Sequence, residues 1–343
     1  MKRNRYLLLY FFLFLAVVAS SSVQAGSFVI AKYGGDFLAI GVGARALGMG
    51  AAYVAVGQDG IAAYWNPAGL TQLNYPQINA MHSERFAGVV KYDYLGIYLP
   101  YGPTSTVGIS FIRLGVDDIP ITALNNPDVP LGAEYEDEYG NKLRNTPYIT
   151  RWVNDAEYAG FFSYGYRFCP KWMIGANVKL IWKTVGDNSA WGLGFDAGML
   201  YNPINNLQLG VNIQDFTTTL VAWDTGRNEL IIPNLKWGGA YSLRFSNFGV
   251  IVAADFDTRF EKRKFAAQKW LGPISVDFHY GAELNYKKII YGRIGSDVGN
   301  FTLGAGIQLP KLKGDLAFLP RNDLGNTWRL SLTLTIEEEK FKR

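Results

Sequence analysis

The stretch WMIGANVKLIW, Trp172 to Trp182, and the stretch WGLGFDAGMLY, Trp191 to Tyr201, decide how this 343-residue chain is read. Side chains of an extended strand alternate between two faces. Trp172, Ile174, Ala176, Val178, Leu180 and Trp182 therefore share one face, with Met173, Gly175, Asn177, Lys179 and Ile181 on the other. The second stretch repeats the pattern, with Trp191, Leu193, Phe195, Ala197, Met199 and Tyr201 set against Gly192, Gly194, Asp196 and Gly198. Each apolar face begins and ends on an aromatic ring. Ten steps of ~3.3 Å make ~33 Å of strand, which a tilt of roughly 40° projects to ~25 Å, the height of the apolar band of an outer-membrane barrel. Trp172, Trp182, Trp191 and Tyr201 then fall where the two aromatic girdles belong.

Working outward, similar alternation recurs near residues 77–82, 91–100, 106–113, 158–168, 207–213, 234–245, 248–257, 278–286, 289–294, 301–309, 313–319 and 328–336. With the opening pair this predicts an all-β fold, a transmembrane antiparallel β-barrel of about fourteen strands. Every second connection is tight: 101–105, 169–171, 202–206, 246–247, 287–288 and 310–312. Three of the others are long: Leu114 to Glu157, Gln214 to Pro233 and Thr258 to Asp277. Short periplasmic turns alternating with long external loops predict both termini in the periplasm. A soluble sandwich also alternates, but its outer face carries many Lys and Glu, whereas here the polar face is mostly Gly, Asn, Ser, Thr and Gln.

The start of the chain fits export. Lys2, Arg3 and Arg5 precede an apolar run from Tyr6 to Val18, and Val23-Gln24-Ala25 supplies the small-residue site, so residues 1–25 read as a signal peptide. Removing them leaves 30 basic against 29 acidic residues, a balance that gives a nucleic-acid partner no electrostatic support. Cys169 is the only cysteine, which excludes an internal disulfide or thiol pair.

No catalytic constellation is expected. His82-Ser83-Glu84 places neighbours on opposite faces of a strand, and no G-x-S-x-G elbow is present. Glu134, Glu136, Asp137 and Glu138 crowd the longest loop without the spacing of an EF-hand, so a solvated charge cluster is expected rather than a metal site. No cofactor is implied. Lys262, Arg263 and Lys264, placed externally, are candidates for lipopolysaccharide phosphates. Lys179, Lys183 and Asp196 fall on the face opposite the lipid.

Before the strands lies GVGARALGMGAAYVAVGQDGIAAYWNPAGL, Gly41 to Leu70. Its G-x-G-x-x-A start lacks the βαβ context of a dinucleotide site. Asp59 is a candidate cap for a turn over residues 61–64, and Asn66-Pro67 reads as an N-cap followed by proline at the first helical position. The segment has no apolar face long enough to span a bilayer, and its glycines permit tight packing against a surrounding wall. Residues 26–74 are thus expected to plug the barrel, 75–336 to form it and 337–343 to make a charged periplasmic tail, with Phe341 inside the tail instead of a terminal aromatic.

The run from Gly35 to Leu70 resembles the N-terminal signature of the PorV/PorQ family within the wider FadL-like group of outer-membrane barrels. The resemblance rests on Gly43-Ala44-Arg45-Ala46, Gly48-Met49-Gly50, Asp59 and Trp65-Asn66-Pro67-Ala68-Gly69-Leu70. It implies a fourteen-stranded barrel in the outer membrane of a diderm bacterium, and carries Asn66, Pro67 and Ala68 onto the family's Asn-Pro-Ala hatch. PorV-type members bind the C-terminal domains of type IX secretion substrates and deliver them to surface attachment. FadL-type members admit hydrophobic molecules such as fatty acids. The resemblance thus makes type IX secretion or surface attachment the leading expectation and transport of hydrophobic small molecules the alternative. The implied partners are lipid and lipopolysaccharide, secreted proteins or secretion components at the loops, chiefly Leu114 to Glu157, or a hydrophobic ligand.

Overall fold

The computed structural model describes residues 28–30, 35–261, 263–320 and 325–337. The signal peptide, Lys262 and residues 338–343 of the tail lie outside them. Fourteen antiparallel staves close into one barrel: β1 Gln77–Arg85, β2 Val90–Tyr101, β3 Ser105–Leu124, β4 Pro147–Arg167, β5 Trp172–Val185, β6 Asn188–Ile204, β7 Leu207–Gln214, β8 Asn234–Phe245, β9 Phe248–Arg259, β10 Ile274–Tyr286, β11 Ile290–Asp297, β12 Asn300–Gln308, β13 Leu312–Leu319 and β14 Thr327–Thr335. Closure is made by β14 on β1, in register from Gln77 opposite Thr335 to Glu84 opposite Trp328. The ring has no free edge, so the ladder hydrogen bonds run strand to strand around the whole wall.

The alternation predicted for the opening stretch holds. Trp172, Ile174, Leu180 and Trp182 are exposed on the outside of β5, while Met173, Asn177, Lys179, Ile181 and Lys183 are buried inside. Cross-strand pairing sets Trp172 opposite Tyr201 and Trp182 opposite Trp191. The Trp172 and Tyr201 rings stack at 4.2 Å between centroids. All fourteen expected strands coincide with a stave, and the six connections expected to be tight gather at one end of the barrel; at the other end the β5–β6 and β11–β12 turns, residues 186–187 and 298–299, are equally tight.

The long connections are not the plain loops expected. Between Leu114 and Glu157 the chain stays extended: β3 runs on to Leu124 and β4 begins at Pro147, pairing with each other through a bulge near Asp117 and Asp118. The result is a two-stranded arm that rises past the last β4–β5 pair, Asp155 opposite Val185. A small hairpin, Glu134–Glu136 with Lys142–Arg144, sits at its head. Periodicity missed the arm because strand pairing continues where one-face burial stops. Within 214–233, strands Thr219–Trp223 and Asn228–Ile231 form a hairpin, and the first pairs with β6 above the short β7. Within 258–277, Lys269–Leu271 folds onto the start of β10.

The chain's described start also departs from expectation. Phe28–Ile30 pairs in parallel with Asn228–Leu230, in the hairpin at the long-connection end, whereas Thr335 ends at the tight-turn end. The two described termini therefore lie at opposite ends of the barrel, and the prediction that both are periplasmic does not hold for these residues. From the long-connection end, residues 35–76 run down through the lumen to β1.

Candidate functional site

The lumenal segment is built from short helices, Asp36–Ala39, Ala44–Gly48 and Ala62–Trp65, and a 3-10 turn, Pro67–Gln72. None is long enough to be stable alone; the wall holds them. Tyr53, Trp65, Met49, Leu70 and their neighbours are buried as a core inside the barrel.

Gly48, Met49 and Gly50 press against the β10–β12 wall. Gly50 has φ +63°, and a Cβ on it would lie 2.4 Å from the Ser296 amide nitrogen. Facing it, a Cβ on Gly281 would lie 2.2 Å from the Met49 carbonyl oxygen, and one on Gly295 would lie 2.3 Å from the Gly50 nitrogen. Glycines thus meet across the joint from both sides, because backbone can approach backbone only where neither carries a Cβ.

The same flank is bound by charge. Arg45 donates two hydrogen bonds to Glu283, from Nε to Oε2 at 2.8 Å and from Nη2 to Oε1 at 2.9 Å. Glu283 also accepts from Arg293 Nε at 2.6 Å, and Arg293 Nη1 lies 2.7 Å from Asp315. Asp59 does not cap the turn over residues 61–64. Its carboxylate accepts from Tyr53 Oη at 2.6 Å and pairs with Arg45 at 3.4 Å. The helix Ala62–Trp65 has no side-chain cap, so the aspartate goes where a buried cation needs it.

Asn66, Pro67, Ala68 and Gly69 meet the opposite flank, β4 to β7. Asn66 Oδ1 accepts from the Ala68 amide at 3.2 Å and caps the 3-10 turn. Its Nδ2 lies near three carbonyls, Val54 at 3.1 Å, Met199 at 3.0 Å and Val211 at 3.4 Å. Asn177 donates to the Ala63 carbonyl at 2.9 Å and Asn212 to that of Trp65 at 3.0 Å. Wall glycines again make room: a Cβ on Gly175 would fall 2.3 Å from the Pro67 carbonyl carbon. Gly69 packs within the segment, its Cβ position 2.8 Å from the Gly57 carbonyl oxygen.

Sequence reasoning missed the wall's contribution. Glu283, Arg293, Asp315, Asn177 and Asn212 carry the joint, and their signal was visible only as polar residues on the inner face of strands. Lys179 and Asp196, expected on that face, pair at 2.8 Å, and Lys179 also reaches Asp215 at 2.7 Å. Lys183 pairs with Glu157 at 2.6 Å. These ion pairs brace stave to stave.

Two recesses flank the segment. The one toward the long connections, of about 40 Å³, is lined by Leu38, Tyr64, Phe161 and Ile231 together with Lys179 and Arg259. The one toward the tight turns, of about 110 Å³, is lined largely by amides, among them Gln58, Gln72, Asn202, Asn206 and Gln208. Neither reaches the ~150 Å³ of a cavity known to take benzene.

The remaining candidates resolve simply. His82 and Glu84 face outward, while Ser83 turns inward and donates to the Trp328 carbonyl. Among the described residues no cluster has the arrangement of a metal site. In the arm, Asp137 is a turn residue: Oδ1 accepts from the Tyr139 and Asn141 amides and Oδ2 from the Asn141 side chain. Those bonds, the Asn141 side chain's first, hold its carboxyl below the usual range. Arg263 is committed to its own loop, pairing with Asp277 and donating to the Ala266 carbonyl.

No family model matches the sequence, and no curated protein matches it either. Solved structures do match. The CymD monoaromatic hydrocarbon channel aligns with TM-score 0.58 at 13% identity, covering 87% of this chain and 98% of its own. The Ralstonia pickettii toluene transporter TbuX aligns at 0.54 and 11% identity, covering 87% and 99%. A Pseudomonas aeruginosa FadL homologue aligns at 0.50 and 12%, covering 83% and 96%. At such identities the likeness is one of fold and does not single out PorV/PorQ. The chain folds as a closed fourteen-stranded antiparallel β-barrel whose architecture matches that of these FadL-like barrels.

Proposed function

We propose that this protein is a plugged outer-membrane barrel that admits small hydrophobic molecules, with residues 35–74 as the plug. The recess at the junction of plug and wall is where cargo would enter: it opens toward the long connections and sets the apolar Leu38, Tyr64, Phe161 and Ile231 beside charged groups, Asp36, Lys179, Asp215, Arg259 and Glu261. The fold shared with hydrocarbon channels carries the reading. In this reading the long connections face the outside, the rings of Trp172, Trp182, Trp191 and Tyr201 sit at the membrane interfaces, and the plug shifts to let cargo pass, because the closed recess is too small for a ring.

The test is uptake of radiolabelled toluene into proteoliposomes. Phe161→Lys, which puts a charge among the apolar lining, is expected to reduce the rate about tenfold or more if the pocket lies on the path. Uptake no faster than in empty vesicles sinks the reading. A second reading, surface delivery of secreted proteins, is favoured by the arm alone, whose Leu131, Tyr139, Tyr148 and Trp152 are exposed. Removing residues 125–146 in cells separates the two: loss of surface-protein display with toluene uptake intact supports delivery.

A further inference from the structure

Outward-facing charge is confined to one sector of the wall. On β5 to β14 the outward positions carry apolar or aromatic side chains, glycine, serine or threonine. On β1 to β3, by contrast, six ionisable groups face out and join into one network. His82 Nδ1 lies 2.6 Å from Asp93 and His82 Nε2 lies 3.7 Å from Glu84. Arg113 bridges Asp93 at 3.8 Å and Asp117 at 3.4 Å, and Lys91 meets Asp117 at 3.0 Å.

The register sets the height of this patch. Glu84 is paired to Trp328, Arg113 to Tyr158, and Tyr158 in turn to Trp182. Rings therefore flank the patch on both sides, and the hairpin that joins β1 to β2 starts at Arg85, just above it. Below it the outward residues are Ala80, Leu95, Ile97 and Phe111, a surface for lipid tails. Charges cannot face hydrocarbon cheaply, so a patch at this level meets headgroups.

We propose that the β1–β3 patch is a binding site for the phosphorylated headgroup of an outer-leaflet glycolipid, assembled with divalent cations. Such a leaflet is a lattice of phosphates bridged by those cations, and a patch of both signs fits into it. Lys91 and Arg113 donate charge-assisted hydrogen bonds to phosphate oxygens. The carboxylates do not make a metal cluster by themselves; Asp93, Asp117 and Glu84 each add a hard oxygen to a magnesium or calcium ion held chiefly by the phosphates. The site differs from the basic run 262–264, whose Arg263 pairs with a buried carboxylate, Asp277 of β10, whereas the pairs made by Lys91 and Arg113 are partly exposed on the outer wall and open to exchange with phosphate. It rests on the reading that the long-connection end faces outward.

Delipidated protein in detergent is titrated with bisphosphorylated lipid A and magnesium, with the same lipid lacking phosphates, and with phosphatidylethanolamine, and retention is read by native mass spectrometry. The wild type is expected to hold lipid A about tenfold more tightly than either control lipid, and chelation of magnesium to erase much of that margin. Lys91→Gln with Arg113→Gln, and separately Asp117→Asn, should abolish the preference. Arg151→Gln, which removes an exposed pair with Asp187 on the arm, should keep it. Equal retention of all three lipids, undiminished binding by the variants, or a stable dimer that the double variant dissolves would overturn the site. Toluene uptake by the double variant should equal wild type, so failure here is distinct from failure of the channel reading. Labelling of Tyr139→Cys on intact cells by an impermeant reagent checks the orientation separately; no labelling would remove the glycolipid assignment and leave the channel to its own test.

Discussion

The two flanks of the lumen hold the same segment by different means. On the β10–β13 flank, Arg45 enters a buried charge chain of Glu283, Arg293 and Asp315. On the β4–β7 flank, Asn66, Asn177 and Asn212 bind carbonyls without charge. Both flanks use wall glycines to let backbone touch backbone. Breaking a buried ion pair leaves an uncompensated charge, whereas losing a neutral hydrogen bond costs far less. If the plug moves, the neutral flank is expected to release first, with the charged flank as the pivot.

Four substitutions break or sharpen that contrast. Gly281→Leu should have the largest effect, because even its Cβ would meet the Met49 carbonyl oxygen at 2.2 Å. The segment is then expelled or the barrel fails to close, read as loss of the heat-modifiable band or as new trypsin cleavage after Arg45. Wild-type protection would refute the close joint.

Glu283→Ala leaves Arg45 only the longer pair with Asp59 and Arg293 only Asp315, at a cost of about 3 kcal/mol in urea unfolding from bilayers. A cost under about 1 kcal/mol would mean that the charge chain does not anchor the plug.

Asn66→Ala removes the cap and the carbonyl contacts of the neutral flank, for about 1–2 kcal/mol. More telling, it should raise toluene uptake or open-channel conductance, while Glu283→Ala lowers the yield of folded protein. The reverse pattern would move the pivot to the other flank.

Trp172→Ala lies outside the lumen and loses the stack on Tyr201, worth about 0.5–1.5 kcal/mol beyond its burial. Its effect should be on stability in bilayers alone, with uptake unchanged. A change in transport would tie the outer wall to the plug.

The outer wall was the most legible part of the molecule. Trp172 to Tyr201 could be read residue by residue, because an apolar exposed face on one side and a packed lumen on the other impose period two along the strand, whatever the neighbours are. The arm was not legible: above Asp155 neither constraint acts, and β3 and β4 continue only because each completes the other's hydrogen bonds. Asp59 was misassigned for a related reason, since a local cap and a long-range cation compete for one carboxylate and only the fold brings Arg45 to it.

By itself the sequence determined the strand number, the inward and outward faces and the presence of a glycine-rich piece that cannot span a bilayer. All are local patterns repeated against one uniform solvent. The tertiary structure alone decided which wall residues receive that piece, that the described chain start lies opposite Thr335, and that outward charge gathers on three neighbouring staves. Those depend on residues tens to hundreds of positions apart meeting across closed pairing, and no local period records such meetings.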